Sequence, residues 1–228
     1  MQRVETELNT EAPVSAPIKI AIIDDEAPIR RALARLLKSA GIEAFTFSSA
    51  REFLDDPIHQ QVDCAVTDMR MPGFDGLELQ EQLNRTLPHL SLVFITGHGD
   101  IHGSVRAMKG GAVDFLEKPV DGDALLPAIR RAAARSRALK ASHEERVALE
   151  RRYAEVTRRE REVFALVTSG LMNKQIAADL GVTEKTIKVH RARVMEKMGA
   201  KSLADLVRKA ERLGAWSADY LKTASAAR

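Results

Sequence analysis

Apolar and polar positions along the first 120 residues switch repeatedly between two periods. Ile18 to Ile23 is a short run, apolar except for Lys19, that ends at Asp24 and reads as a buried strand. Ile29, Ala32, Leu33, Leu36 and Leu37 then fall at the i, i+3, i+4, i+7, i+8 spacing of one helix face. The same cycle predicts strand 42–47 with helix 48–55, strand 62–67 with helix 76–85, and strand 91–95 with helix 101–110. A fifth strand, 113–116, leads into a helix from about 121. Five such units imply an α/β domain: an open, five-stranded parallel sheet, doubly wound, with helices on both faces. Ligands of such sheets gather at the carboxyl ends of the strands, which puts Asp24, Asp25, Asp68 and Thr96 on one rim.

The pattern then changes. From 121 to about 155 the chain is rich in Ala and Arg and has neither Gly nor Pro between Pro127 and Tyr153. One long helix is expected, whole or broken near Ser142, whose 136–156 portion serves as a linker. Leu125, Ile129, Leu139 and Val147 leave a coiled-coil seam and a semi-rigid charged spacer equally open. Residues 157–213 read as an all-α, four-helix domain. Thr157-Arg158-Arg159-Glu160 has capping-box spacing and opens the first helix, which runs to Gly170. The second spans Asn173 to Leu180, the third begins at Thr183 and ends near Gly199, and the fourth covers about Ser202–Leu213. In the fourth, Leu203, Leu206, Val207 and Ala210 suit either a dimer contact or plain core. The organisation expected is a disordered leader (1–17), an α/β domain (18–135), the linker, the helical domain and a tail (214–228) in which Trp216 and Tyr220 could pack back.

Composition narrows the function. The chain is 45% hydrophobic and 29% charged, and no apolar run reaches the length of a membrane span. Residues 1–17 lack the apolar stretch of a signal peptide. Cys64, the single cysteine, excludes a disulfide framework and fits a reducing cytoplasm; within Cys64-Ala65-Val66 it reads as a buried strand thiol. The formal charge of +3 hides an asymmetry: residues 1–120 hold 12 basic and 18 acidic residues, a balance of −6, and residues 121–228 hold 23 and 14, a balance of +9. An acidic front suits metal or phosphoryl chemistry, and a basic back suits a polyanion such as DNA.

The acids sit where that chemistry needs them. Two carboxylates about 4 Å apart repel by roughly 4 kcal/mol at an effective dielectric near 20, so three at one rim call for a cation. Hard oxygen donors at few positions suit Mg²⁺. Lys118, before Pro119, can supply a second cation, and the Thr96 hydroxyl can donate to a phosphoryl oxygen. Each residue alone has an ordinary structural role; their order along the strand ends carries the signal. Asp24-Asp25-Glu26, Asp68-Met69-Arg70-Met71-Pro72-Gly73, Thr96-Gly97-His98 and Lys118-Pro119 resemble the receiver domain of two-component response regulators, over about residues 18–135. The resemblance implies a flavodoxin-like fold, phosphoacceptance at Asp68 from a sensor histidine kinase, and a Mg²⁺ held by Asp24, Asp25, Asp68 and the backbone carbonyl of Arg70. It also implies a switch pair, Thr96 and Phe115, in which the hydroxyl moves toward the phosphoryl group and the ring turns inward. His98 and His102 invite a metal reading, although a surface loop accounts for them as well.

In the back half, Gly170-Leu171-Met172-Asn173-Lys174-Gln175-Ile176-Ala177 and Thr186-Ile187-Lys188-Val189-His190 resemble the helix-turn-helix of the FixJ/NarL/LuxR class. Helical geometry supports this independently: Ile187, Val194 and Met198 share one face, while Lys185, Val189, Ala192 and Glu196 share the opposite one, flanked by Lys188 and Arg193. Lys188 can reach guanine acceptors, and Val189 and Ala192 can touch thymine methyls, although class members often carry a basic side chain where Ala192 stands. By the resemblance Lys188 and Val189 lie at base-reading positions, and Thr186 belongs to the same DNA-binding set. Lys174, Lys185, Arg193 and Lys197 are cast as phosphate contacts, and His190 and Arg191 lean toward structural roles.

The whole reads as a cytoplasmic, phosphorylation-controlled transcription regulator of the FixJ-like group, an activator rather than an enzyme. Its expected partners are a sensor histidine kinase, double-stranded promoter DNA, RNA polymerase and, once phosphorylated, a second copy of itself; no membrane is expected. Two rivals stand beside it. One is an aspartyl-nucleophile phosphatase, which wants a second Asp where Arg70 stands. The other is a receiver whose output works through protein contacts.

Overall fold

The computed structural model describes residues 17–97 and 101–214. The expected leader up to residue 16, His98, and the tail beyond Gly214 with Trp216 and Tyr220 lie outside the described residues. The chain divides into two compact units between Lys140 and Ala141.

In the first unit five strands, β1 (Lys19–Ile23), β2 (Glu43–Phe47), β3 (Cys64–Asp68), β4 (Ser91–Thr96) and β5 (Asp114–Glu117), form one parallel sheet in the order β2-β1-β3-β4-β5. Helices α1 (Ala27–Ser39), α2 (Ala50–Asp55), α3 (Gly76–Thr86), α4 (Ile101–Lys109) and α5 (Gly122–Ala154) follow the strands in turn. The period of two along each strand deals side chains to alternate faces. Ile20, Ile22, Val66, Val93 and Ile95 pack against Leu33 and Leu37 of α1 and Leu125, Ala128 and Ile129 of α5. Ala21, Ile23, Ala65 and Phe94 pack on the other face against Phe53, Leu79, Leu83 and Ala107. Both faces are therefore covered, as a parallel sheet requires. The strand order reverses direction between β1 and β3, the switch point at whose carboxyl ends ligands of such sheets gather.

Several hydrogen bonds tie α5 to the amino-terminal end of the sheet. Arg137 donates from Nε and Nη2 to the two carboxylate oxygens of Asp63, each at 2.7 Å, and the backbone N–H of Lys19 adds a third bond to Asp63 at 2.9 Å. Burial works against the Asp63 charge, but these bonds outweigh it and hold the carboxyl below its usual range. The Ser136 hydroxyl accepts the N–H of Ser91 at 2.8 Å. Cys64 is fully buried beneath α5, and desolvation pushes its thiol well above the ordinary value. The helix passes Ser142 without a break.

The second unit is all-helical. Its core joins Leu149 and Tyr153 of the last turns of α5 to α6 (Arg158–Thr168), α7 (Asn173–Asp179), α8 (Glu184–Lys197) and α9 (Leu203–Arg212). The capping box at Thr157 forms, each of Thr157 and Glu160 accepting from the other's backbone N–H. Leu206 and Ala210 of α9 are buried core, whereas Leu203 is 40% exposed. Among the described residues no helix is long and apolar enough to cross a membrane.

Candidate functional site

The carboxyl ends of β1 and β3 carry the acids. Asp68 closes β3 and Asp24 follows β1, and the two strands pair directly, Ile23 opposite Thr67. Asp24 and Asp68 are 1% and 6% exposed, while Asp25 points to solvent; one carboxylate oxygen from each of the three lies within 4.8 Å of the others. The sharp turn after β3 lets the chain leave the rim. Gly73 adopts a φ of 80°, and Gly76 opens α3 so close to Asp68 that a β-carbon there would collide with the Asp68 carbonyl oxygen. The N–H of Gly76 donates to the carbonyl of Met69 at 3.0 Å, and the N–H of Arg70 donates to Asp68 Oδ1 at 3.1 Å.

Lys118, at the end of β5, reaches across the rim. Its ammonium lies 2.6 Å from Asp68 Oδ2, 2.9 Å from Asp24 Oδ2 and 3.2 Å from Glu26 Oε1. Its backbone N–H bonds the carbonyl of Thr96 at 2.7 Å, which fixes the base of the side chain, and the Lys118–Pro119 peptide is cis. Burial opposes the ammonium charge, but the hydrogen bond to Asp68 and the negative charges of Asp68 and Asp24 overcome it and raise the pKa above that of an ordinary lysine. Desolvation dominates at Asp24 and raises its pKa despite Lys118 and the N–H of Glu26. Asp24 Oδ2 sits within ion-pair distance of Lys118 but makes no hydrogen bond of acceptable geometry. A buried carboxylate oxygen with an unused lone pair, beside two further carboxylates, fits a hard divalent cation such as Mg²⁺.

Thr96 ends β4, is 3% exposed, and spends its hydroxyl proton locally on the Gly97 carbonyl at 3.1 Å. Phe115 lies on the neighbouring strand, paired with Phe94 and half-buried against the α2–α3–α4 face. The structure thus brings Asp24, Asp25, Asp68 and Lys118 together at one rim, with Thr96 on the adjacent strand end. Glu26 was missed: its place in an Asp-Asp-Glu run is visible, its contact with Lys118, 92 positions away, is not. His102 is exposed on α4.

In the helical domain α7 and α8 form a helix-turn-helix. The turn holds Gly181 at a φ of 65°, and Thr183 caps α8 by accepting the N–H of Thr186 at 3.2 Å. Ile187, Val194 and Met198 are buried, as the spacing predicts. Lys185, Lys188, Val189, Ala192 and Arg193 are exposed together, as is Lys174 on α7, and Thr186 is half-buried. Lys188 lies 3.6 Å from Glu184 one turn earlier. Arg191 donates to Asn173 at 3.1 Å and locks α8 onto α7, a structural use. Lys197 differs from its expected place on the open face. Its ammonium is tied at 2.6 Å to the buried Glu160 and at 3.0 Å to the carbonyl of Glu155, so it closes the core side of the domain. The pair holds the Glu160 carboxyl, against the cost of burial, down to about 2.

A receiver-type α/β domain and a helix-turn-helix domain in one chain define a response regulator with a DNA-binding output, and the chain belongs to that family. Residues 20–130 match the response regulator receiver domain, and residues 154–210 match the LuxR family of bacterial regulatory proteins. The chain is 45% identical over 206 residues to nodulation protein W of Bradyrhizobium diazoefficiens, covering 90% of each. It is 44% identical over 207 residues to the transcriptional regulatory protein FixJ of Azorhizobium caulinodans, covering 91% of this chain and 97% of that one. Among solved structures it resembles the response regulator StyR, with a TM-score of 0.78 and 45% identity over 86% of this chain and 100% of that chain. These relationships make the protein a homologue of two-component transcriptional regulators, with a receiver domain and a LuxR-type DNA-binding domain.

Proposed function

We propose that Asp68 accepts a phosphoryl group from a sensor histidine kinase, and that the added charge controls how the LuxR-type domain binds promoter DNA. The observation that carries this reading is the Lys118 ammonium poised 2.6 Å from Asp68 and 2.9 Å from Asp24 at the switch point of the sheet. One carboxylate oxygen of Asp68 attacks phosphorus; the O–P bond forms as the P–N bond to the donor imidazole breaks, and the bonding pair leaves with that nitrogen. Lys118, already hydrogen-bonded at this carboxylate, turns its proton to a phosphoryl oxygen and offsets the incoming charge. Asp24, Asp25, Asp68 and the Arg70 carbonyl would hold Mg²⁺, which when bound neutralises negative charge shared between the carboxylates and the phosphoryl group. The Thr96 hydroxyl exchanges its local bond to Gly97 for one to a phosphoryl oxygen, and Phe115 follows into the space it leaves.

In the output domain, the open face of α8 enters the major groove. Lys188 and Val189 read base edges, Thr186 and Ala192 line the same surface, and Lys174, Lys185 and Arg193 contact phosphates. Lys197, committed to Glu160, serves the fold instead. A phosphorylated dimer would read two half-sites about 10 base pairs apart, recruit RNA polymerase and activate transcription in the cytoplasm. Labelling with acetyl phosphate and Mg²⁺, followed by gel shifts, tests the scheme. Wild type is expected to label and to bind its promoter more tightly when labelled; equal labelling of Asp68→Asn, or equal DNA affinity in both states, would overturn it.

A further inference from the structure

The carboxyl end of α8 is held from an unexpected quarter. Helix carbonyls at that end lack intrahelical partners and carry the negative pole of the helix dipole. The chain leaves α8 through Gly199 at a φ of 59°, and the N–H groups of Met198, Gly199 and Ala200 return to the carbonyls of Val194, Glu196 and Met195. Beyond these bonds lie the carbonyls of the C-cap Met198 and of Gly199. Both are taken by the ammonium of Lys209 on α9, at 3.1 Å and 2.7 Å. Lys209 is in turn held by Asp205, 3.5 Å away, and Asp205 accepts the N–H of Lys201 in the turn between the two helices at 3.0 Å. The Lys209 side chain is only 23% exposed, so its charge is partly withdrawn from water and its contacts are correspondingly strong.

Among the described residues no other side chain is recorded bonding these two carbonyls. Lys197 is occupied by Glu160 and Glu155. Arg152 packs against Gly199, where a β-carbon would strike its guanidinium, and so crowds the turn from the α5 side. Lys209 therefore fastens the end of α8 to α9, as Lys197 fastens its last turn to Glu160, while Arg191 and Asn173 fasten its middle to α7. A helix pinned at two points along its length has a fixed tilt, and base readout depends on tilt much more than phosphate attraction does.

We infer that Lys209 is a positioning residue for DNA recognition: from α9 it sets the angle at which α8 meets the bases, without touching DNA. This gives α9 a task beyond the core and dimer roles its apolar face allows. The inference rests on the reading of α8 as the groove-entering helix. The test uses the full-length, acetyl phosphate-labelled protein, a duplex selected by wild type from a random library, and a scrambled duplex of equal length. Lys209→Met keeps the aliphatic stem and removes the charge. It is expected to weaken binding to the selected duplex about tenfold and to the scrambled one less than about twofold, with the salt slope unchanged and Lys209→Arg restoring most of the difference. Equal losses on both duplexes, or a salt slope smaller by about one, would make Lys209 a phosphate contact and overturn the inference; so would no change at all. If Lys209→Met melts the domain, the comparison is read on Lys209→Gln, whose amide can still donate to Gly199, and melting of both variants would also overturn it. Lys188→Ala reads the groove assignment separately: if base preference survives that change, the underlying reading fails whatever Lys209 does.

Discussion

Asp24 is the residue at which folding and binding pull in opposite directions. Its carboxyl is buried beside Asp68, and desolvation raises its pKa, so the fold favours the protonated form. A raised acid pKa means that the stability this group contributes is lost as pH rises through the folded value; at neutral pH its charge is a burden on the fold. Asp24→Asn keeps the oxygen that accepts the N–H of Glu26 and removes the charge. Without Mg²⁺ the variant is expected to melt a few degrees higher than wild type at pH 7, about 1 kcal/mol, and to gain nothing when Mg²⁺ is added. Calorimetric melts with and without the metal check both halves. Wild type should also bind Mg²⁺ more weakly as pH falls, because protons compete for Asp24. The acids themselves were legible in the sequence, since strand ends and carboxylates are both visible there. Their uneven burial, with Asp24 enclosed and Asp25 open, follows from packing and was not.

At the scale of elements, the pairs that set helix positions join residues far apart in the chain. Arg137 and Asp63 are separated by 74 positions, and Lys197 and Glu160 by 37. Periodicity locates an element and its buried face, which is why all five strands, α8's inner face and the Thr157 capping box could be read beforehand. It carries no information about which surface charge meets which partner, so Lys197 looked like any other base on a DNA-binding helix. The Glu160 carboxyl, ordinarily near 4.5, titrates in the fold at about 2. A depressed acid pKa gives stability that is full above 4.5 and fades as pH falls toward 2. Glu160→Gln is therefore expected to cost about 1–3 kcal/mol in urea melts at pH 7, less than a dry ion pair because Lys197 keeps some contact with water. The gap between variant and wild type should shrink below pH 4.5.

For the whole molecule, charge and architecture divide together. The front half is acidic and carries the rim of Asp24, Asp25 and Asp68, the back half is basic and carries the exposed bases of α8, and each unit encloses its own core. Two separate cores imply two cooperative units. A calorimetric scan is expected to resolve two transitions, with Mg²⁺ plus beryllofluoride raising only the receiver's and duplex DNA raising only the other. A single transition shifted by both ligands would mean that the units melt as one. The sequence disclosed the two-part plan through its change of period near residue 121, but it left open whether the helix from there would break at Ser142, because nothing in an Ala- and Arg-rich stretch marks an end.

The lone thiol offers an instrument that needs no engineering. Cys64 begins the central strand, lies beneath Ile129 with no exposed surface, and resists ionising there. An alkylating reagent such as iodoacetamide can reach it only in molecules whose sheet has opened. The rate at which the native chain gains one adduct, followed by mass spectrometry, thus clocks receiver opening, and slower alkylation after phosphorylation would measure how far the modification tightens the sheet.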